Sequence, residues 1–359
     1  MELSYPPARR KSRAVKVGSV IVGGGFPVSI QSMTNTDTRD INSTVAQIDQ
    51  LTDAGCEIIR VAVLDHDAAS KLAEIKKRIS LPLVADIHFK YKLALESIKQ
   101  GVDKIRINPG NIGADWKVAE VTKAAKDACI PIRVGVNSGS LPKDIIEKYG
   151  HDNPEGFVTA ALRQVELLEK HDFHDIVIAL KSSGVITSIA AYRLMADRVD
   201  YPFHLGITEA GTKQTGTIKS AVGIGALLLE GLGDTLRVSL SANPIEEIHV
   251  AKAILKSLDL KKEGVDIIAC PTCGRCQIDA ISLAESIEQK TRHYKTPLKV
   301  AVMGCVVNGP GEAASADIGI TGGNGVGLLF KKGRIIKKIP ENQLEQILLD
   351  EIEKLTGGK

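Results

Sequence analysis

No run of apolar residues in this 359-residue chain approaches the roughly 18 that cross a membrane, and residues 1–13 are polar and basic where a secretory leader is apolar. The chain therefore reads as cytosolic (cytoplasmic). A formal net charge of +3 is too small to argue for nucleic acid or a membrane as partner. The six cysteines do not make a secreted disulfide framework, because the chain is long and four of them crowd together. His66, His151, His171, His174, His204, His249 and His293 show no metal-ligand spacing. No Gly-x-Gly-x-x-Gly joins the first strand to its helix, which weakens a dinucleotide-binding reading.

What is present is ordinary for a soluble enzyme: 43% hydrophobic and 25% charged residues. The length suits a barrel of about 250 residues with a small second domain. Arg9, Arg10, Lys11, Arg13 and Lys16 read as a solvated arm. Ala14–Val28 reads as short strands interrupted at Gly23-Gly24-Gly25, a hairpin suited to closing the bottom of a barrel. Eight short β-branched runs follow. They are Val28–Met33, Ile58–Val63, Leu83–Ile87, Lys104–Asn108, Pro131–Val136, Ile176–Lys181, Phe203–Thr208 and Thr235–Ser241. Helical stretches such as Ser43–Ala54, Ala68–Ile79, Lys90–Gln100 and Ile218–Glu230 alternate with them. This order predicts an α/β fold, a TIM (β/α)8 barrel over residues 1–260, with a doubly wound open sheet as the alternative. Residues 261–359 read as a small α+β domain after the Lys261-Lys262-Glu263-Gly264 linker.

The strands carry cations. Arg60, Arg106, Arg133 and Arg237 each sit inside an apolar run, and Lys181 ends the sixth. Side chains alternate between faces with period two. Arg106 therefore shares a face with Asn108, Arg133 with Asn137, Lys181 with Ser183, and Arg237 with Ser239 and Ser241. Each polar face runs toward the strand's C-terminal end, where barrels place their active sites. One such Arg is explained by a buried acid. Four and a Lys exceed the acids nearby, and guanidinium forks match phosphate oxygens, which points to a strongly anionic ligand. Glu209, ending the seventh strand, is either a salt-bridge partner or a general acid. Asp86 and His88 end the third, where the His reads as hydrogen-bonded scaffolding. Cys56 and Cys129 read as buried small hydrophobes.

Cys270-Pro-Thr-Cys273 puts two thiols three residues apart on a turn. Cys305 follows after 31 residues, on a Gly/Pro-rich loop, and Glu312 lies seven beyond that. Three sites fit this spacing. Cys270, Cys273, Cys276 and Cys305 make either a zinc site or a four-thiolate iron–sulfur cluster. Cys270, Cys273 and Cys305 with Glu312 make a cluster whose carboxylate ligand is replaceable, leaving one iron for chemistry.

Cys-Pro-Thr-Cys-Gly-Arg (270–275), Gly-Cys-Val-Val-Asn-Gly-Pro-Gly-Glu (304–312), Lys-Ile-Arg-Ile-Asn-Pro-Gly-Asn (104–111) and Gly-Ile-Thr-Glu-Ala-Gly (206–211) resemble the 4-hydroxy-3-methylbut-2-enyl diphosphate synthase family, from about Arg13 to Lys338. The resemblance implies an oxidoreductase of the methylerythritol phosphate route to isoprenoids. It would open 2-C-methyl-D-erythritol 2,4-cyclodiphosphate reductively, with two electrons in and water out. It implies a 4Fe-4S cluster on Cys270, Cys273, Cys305 and Glu312, and flavodoxin or ferredoxin as electron donor. It also implies a homodimer in which the cluster domain of one subunit caps the other's barrel. Arg60, Arg106, Arg133, Lys181 and Arg237 would then hold the diphosphate, with Asn108, Asn137, Ser239 and Ser241 donating to remaining oxygens. Glu209 would act as acid to the departing hydroxyl. Two departures stand out. Cys276 is an extra thiol, and Gly184 in Lys181-Ser-Ser-Gly-Val185 stands where the family often has Asp. Two rivals are a non-catalytic metal module on a sugar-phosphate barrel and, by fold analogy alone, a pterin-binding transferase barrel.

Overall fold

A computed structural model describes residues 8–306, 311 and 313–357. The chain divides into two compact units between Lys261 and Lys262.

The first unit opens with a hairpin, β1 (Val15–Val17) and β2 (Val20–Val22). Eight strands follow: β3 (Ser29–Met33), β4 (Ile58–Ala62), β5 (Leu83–Asp86), β6 (Lys104–Ile107), β7 (Ile132–Asn137), β8 (Ile176–Lys181), β9 (His204–Leu205) and β10 (Thr235–Leu236). All are parallel, in the order β8-β7-β6-β5-β4-β3-β10-β9. A parallel bridge between Ile178 and Phe203 brings the two ends together. The sheet is therefore a TIM barrel, and its strands are the eight β-branched runs of the sequence.

Alternation decides what each strand buries. Ile59, Val61, Leu83, Ala85, Ile105, Ile107, Ile132 and Val134 point outward into one core with the apolar faces of the surrounding helices. Each fully buried aliphatic stabilises by roughly 1.5–3 kcal/mol. The helices start and stop where the sequence provides. Asp40 caps Ile41–Ala54 by accepting from the Ser43 N–H at 3.1 Å, and Gly55 ends it at φ 103°. The stretch expected as a single helix over Ala68–Ile79 is two, His66–Ser70 and Leu72–Arg78. Ser70 Oγ donates to the Asp67 carbonyl, the acceptor Lys71 N–H would use, and the ladder breaks there.

The hairpin plugs the start of the barrel, with Val17 and Val22 packed on Ile58 and Val84. Lys11, Arg13 and Lys16 of the basic arm are exposed, as expected, but the arm is not free in solvent: it is pinned. Arg9 pairs with Asp234 at 2.8 Å, Arg13 pairs with Asp200 at 2.7 Å, and Arg10 lies 4.1 Å over the Phe203 ring. Acids and rings of the 200–234 segment hold it. Cys56 is buried, which pushes its thiol up to about 12. Cys129 is exposed instead: it leaves the helix Asp115–Asp127 in the left-handed region, at φ 53°, and faces solvent.

The second unit is a five-stranded sheet of β11 (Val265–Ala269), β12 (Leu298–Met303), β13 (Ile318–Thr321), β14 (Val326–Lys331) and β15 (Arg334–Pro340), in that order. The first three are parallel and the last two antiparallel. Helices Ala280–Thr291 and Leu344–Thr356 cover one face through Ile287, Leu344, Leu348 and Ile352.

Candidate functional site

Polar side chains crowd the inward faces of the barrel. β4 presents Arg60, β5 Asp86, β6 Lys104 and Arg106, β7 Arg133 and Asn137, and β8 Lys181; Arg237 and Ser239 follow β10. One pocket collects Arg60, Arg106, Arg133, Asn137, Lys181, Arg237 and Ser239, with Asp86, His88 and Thr208. Two glycines make room. A Cβ on Gly135 would meet Arg106 Nε at 2.8 Å, and one on Gly206 would meet Lys181 Nζ at 2.9 Å.

The cations fall into two groups. Asp86 pairs with Arg106 at 3.0 Å and with Arg60 at 3.6 Å. Glu247, buried in the first turn of the helix Pro244–Ser257, takes Arg237 on both oxygens, each at 3.2 Å, and accepts from the Leu240 N–H at 3.1 Å. Two carboxylates thus orient these three guanidiniums and leave one positive charge in excess. Nε and Nη1 of Arg133 have no hydrogen-bond partner, and no ion pair holds Lys181 among the described residues. Asn137 accepts from Arg106 Nη2 at 3.2 Å once its amide is turned to satisfy its neighbours.

Buried like charges crowd one another here. Burial first, then the repulsion of Arg60 and Arg106, lowers Arg133 well below the ordinary arginine value. Burial and then Arg133, Arg60 and Arg237 do the same to Lys181. Arg60 is lowered to about 10 by burial, against the pull of Asp86. Burial raises the Asp86 carboxyl, but Arg60, Arg106 and Arg133 together outweigh it and hold it well below the usual range. An anion placed between Arg133 and Lys181 relieves this repulsion.

Other residues picked from the sequence lie elsewhere. Asn108 is buried at the end of β6, its side-chain oxygen unpartnered, and does not line the pocket. Ser241 is exposed and bridged to Thr212, and Ser183 is exposed past the end of β8. Glu209 is exposed and sits at φ 51°, a conformation rare for a non-glycine residue and often found at functional sites. Sequence reasoning missed Glu247, which reads as one more helix-start acid, and the space left by Gly135 and Gly206.

In the second unit, β11 and β12 run side by side with Ala269 opposite Val302. The residues after them are Cys270 and Gly304-Cys305, and the Gly304 N–H donates to Cys270 Sγ at 3.2 Å. Cys276 Sγ donates to the Ile278 carbonyl at 3.2 Å and fills the space a Cβ on Gly304 would need. Among the described residues, no three His, Cys, Asp or Glu side chains converge as ligands of a metal ion. Glu312, the expected oxygen ligand, and residues 307–310 of its loop lie outside the described residues.

A closed parallel barrel with a cation-lined pocket, followed by a cysteine-bearing α/β unit, defines the class: a two-unit TIM-barrel protein. Residues 12–252 match the family described as GcpE TIM-barrel domain, and residues 266–354 match GcpE protein C-terminal domain. The chain is 58% identical to the 4-hydroxy-3-methylbut-2-en-1-yl diphosphate synthase (flavodoxin) of Thermodesulfovibrio yellowstonii, over 96% of this chain and 99% of that one. It is 59% identical to the protein of the same name from Clostridium perfringens, again over 96% and 99%. The chain belongs to this GcpE family of 4-hydroxy-3-methylbut-2-en-1-yl diphosphate synthases. Among solved structures, 3-dehydroquinate dehydratase of Geobacillus kaustophilus is alike at TM-score 0.50 and 15% identity, covering 70% of this chain and 99% of that one, which is a likeness of fold. No helix among the described residues is long and apolar enough to cross a membrane.

Proposed function

We propose that the chain is a cytosolic oxidoreductase that converts 2-C-methyl-D-erythritol 2,4-cyclodiphosphate to 4-hydroxy-3-methylbut-2-enyl diphosphate in the methylerythritol phosphate pathway of isoprenoid synthesis. Two electrons enter and water leaves. The observation that carries the reading is the barrel pocket, where Arg133 and Lys181 have no anionic partner among the described residues while Asp86 and Glu247 fix the neighbouring guanidiniums. Arg133 and Lys181 bind diphosphate oxygens directly, and Arg60, Arg106 and Arg237 complete the cationic wall. Asn137 and Ser239 donate to oxygens that face them. Glu209, on its strained rim backbone, holds a proton for the departing hydroxyl.

The cysteines suit an iron–sulfur group. Cys270 and Cys305 come from the ends of adjacent strands, and Cys270 Sγ already accepts a backbone N–H, the kind of hydrogen bond that tunes cluster thiolates. Cys270, Cys273 and Cys305 would hold a 4Fe-4S cluster, with Glu312 as fourth ligand. Bound there, the cluster supplies electrons one at a time to the ring-opening reaction. Cys276 is engaged with Ile278 and is not a ligand. Flavodoxin or ferredoxin delivers the electrons, and the chain works as a homodimer.

Anaerobic turnover of the cyclic diphosphate by reconstituted protein with a strong one-electron donor tests the reading. Product from wild type and none from Cys305→Ser supports it. No product from wild type carrying its full iron complement overturns it.

A further inference from the structure

We propose that Asp152 is a positioning residue for the active site. Its carboxylate, supplied by the loop before the helix Pro154–Glu169, takes the place of a side chain absent at Gly184 and braces the segment that carries Lys181.

Gly184 is the N-cap of the helix Val185–Ala196 and has no side chain to cap it. Helices prefer Asp, Asn, Ser or Thr there, and their N-termini favour a negative charge. The carboxylate of Asp152 occupies that place: a Cβ on Gly184 would stand 2.9 Å from Asp152 Oδ2. Asp152 Oδ2 accepts from Thr187 Oγ1 at 2.9 Å, in the first turn of the helix. Its Oδ1 accepts from Ser182 Oγ at 2.7 Å, and Ser182 Oγ accepts in turn from the Gly184 N–H at 2.9 Å.

Ser182 directly follows Lys181. Its carbonyl accepts from the Thr208 N–H at 3.2 Å, one residue before Glu209. Asp152 thus fixes, through Ser182, the backbone between Lys181 of the pocket and the strained rim glutamate, Glu209. The role rests on the function proposed above, in which Lys181 and Glu209 meet the substrate.

One carboxylate is needed and two do not fit. Asp152→Ala lowers kcat/KM on the order of tenfold, because small misplacements of binding groups are costly. Gly184→Asp alone also lowers it on the order of tenfold, by crowding two like charges. The double variant Asp152→Ala/Gly184→Asp recovers to within about threefold of wild type, since coupled sites are not additive. The measurement is kcat and KM for the cyclic diphosphate, well below melting, with the melting temperature of all four proteins.

Losses that multiply in the double variant overturn the proposal. So does a lowered melting temperature in Asp152→Ala with kcat/KM unchanged, which is a structural brace alone. No turnover by wild type removes the function and the catalytic part of this proposal together. The four melting temperatures still decide whether the two carboxylates exchange.

Discussion

Gly206 leaves room for the ammonium of Lys181: a Cβ at 206 would stand 2.9 Å from Lys181 Nζ and 2.7 Å from the Arg237 carbonyl oxygen. Gly206→Ala therefore meets backbone that cannot yield as well as a side chain that can. Overpacking of this kind costs about 1–3 kcal/mol. The atoms nearest a Cβ on Gly135 all belong to the Arg106 guanidinium, at 2.8–3.4 Å, a side chain that can shift but only against its pair with Asp86. The cost of Gly135→Ala in stability is expected at the low end of the same range, about 1 kcal/mol, because a side chain yields where backbone does not. Both are expected to raise KM for the cyclic diphosphate. Urea unfolding beside steady-state kinetics checks the contrast. Equal stability losses would mean that Arg106 is as rigid as backbone.

Glu247 holds Arg237 on both oxygens and the Leu240 N–H besides, with the carboxylate buried. Removing one partner of a buried pair strands the other. Glu247→Ala is expected to cost about 3–5 kcal/mol and Glu247→Gln less. Removing both charges, as Glu247→Gln/Arg237→Gln, is expected to restore part of the stability but not the affinity for a diphosphate. Urea unfolding and binding of inorganic diphosphate check this. Unfolding free energies that simply add would show that the pair is not coupled.

Asp86 gives acid sensitivity a named source. Its carboxyl is held well below the usual carboxylate range by Arg60, Arg106 and Arg133, against the effect of burial. A folded value depressed below the unfolded one contributes stability that is complete above the unfolded value. It is lost as pH falls toward the folded one. The stability advantage of wild type over Asp86→Asn is expected to hold from neutral pH to about 5 and to shrink below about 4. Unfolding free energies of both proteins across that range check it. An advantage that shrinks near neutrality would point to a different group.

The barrel was legible because its strands are written twice, once in β-branched runs and once in an outward apolar alternation such as Ile105/Ile107 and Ile132/Val134. The inward cations were legible for the same reason. What pairs with them was not. Glu247 lies ten residues from Arg237 on a helix, and nothing in local periodicity brings its carboxylate back into the barrel. The arm reads as solvated in the sequence because its partners, Asp200 and Asp234, lie nearly the whole barrel away. The missing acid at Gly184 was visible, but its replacement by Asp152, 32 residues earlier, needed coordinates. The departure at Cys276 was likewise visible, and its partner Ile278 was not.

That partner makes Cys276 separable from its neighbours. Its sulfur donates to the Ile278 carbonyl and fills the space above Gly304. Cys276→Ser keeps a donor of similar shape, and Cys276→Ala removes it. Both are expected to retain the iron content and visible absorption of reconstituted wild type. Cys270→Ser, Cys273→Ser and Cys305→Ser are each expected to lose them. Iron and sulfide analysis with absorption spectra checks this, and loss of iron in Cys276→Ser would make it a ligand.

The arm carries the last expectation. β9 and β10 are the shortest barrel strands, two residues each, so the seam between them has few ladder bonds of its own. Asp234, just before β10, accepts from the Phe203 N–H at 2.8 Å, from Arg9 at 2.8 Å and from Ser12 Oγ at 2.9 Å. Arg10 lies on the Phe203 ring and donates to the Val199 carbonyl at 2.6 Å. The arm thus clamps the seam from its N-terminal end. Arg9→Ala leaves the buried Asp234 carboxylate without its cation, and a cost of about 2–4 kcal/mol is expected, discounted for the partial exposure of Arg9. Arg10→Ala loses the ring contact and is expected to cost about 1–2 kcal/mol. Deleting residues 1–13 should loosen β9 and β10 before β6 and β7. Hydrogen exchange reads this directly: faster exchange at Leu205 and Leu236, with Ile105 and Val134 unchanged, locates the clamp at the seam. Uniform loss of protection across the barrel would make the arm a contributor to global stability instead.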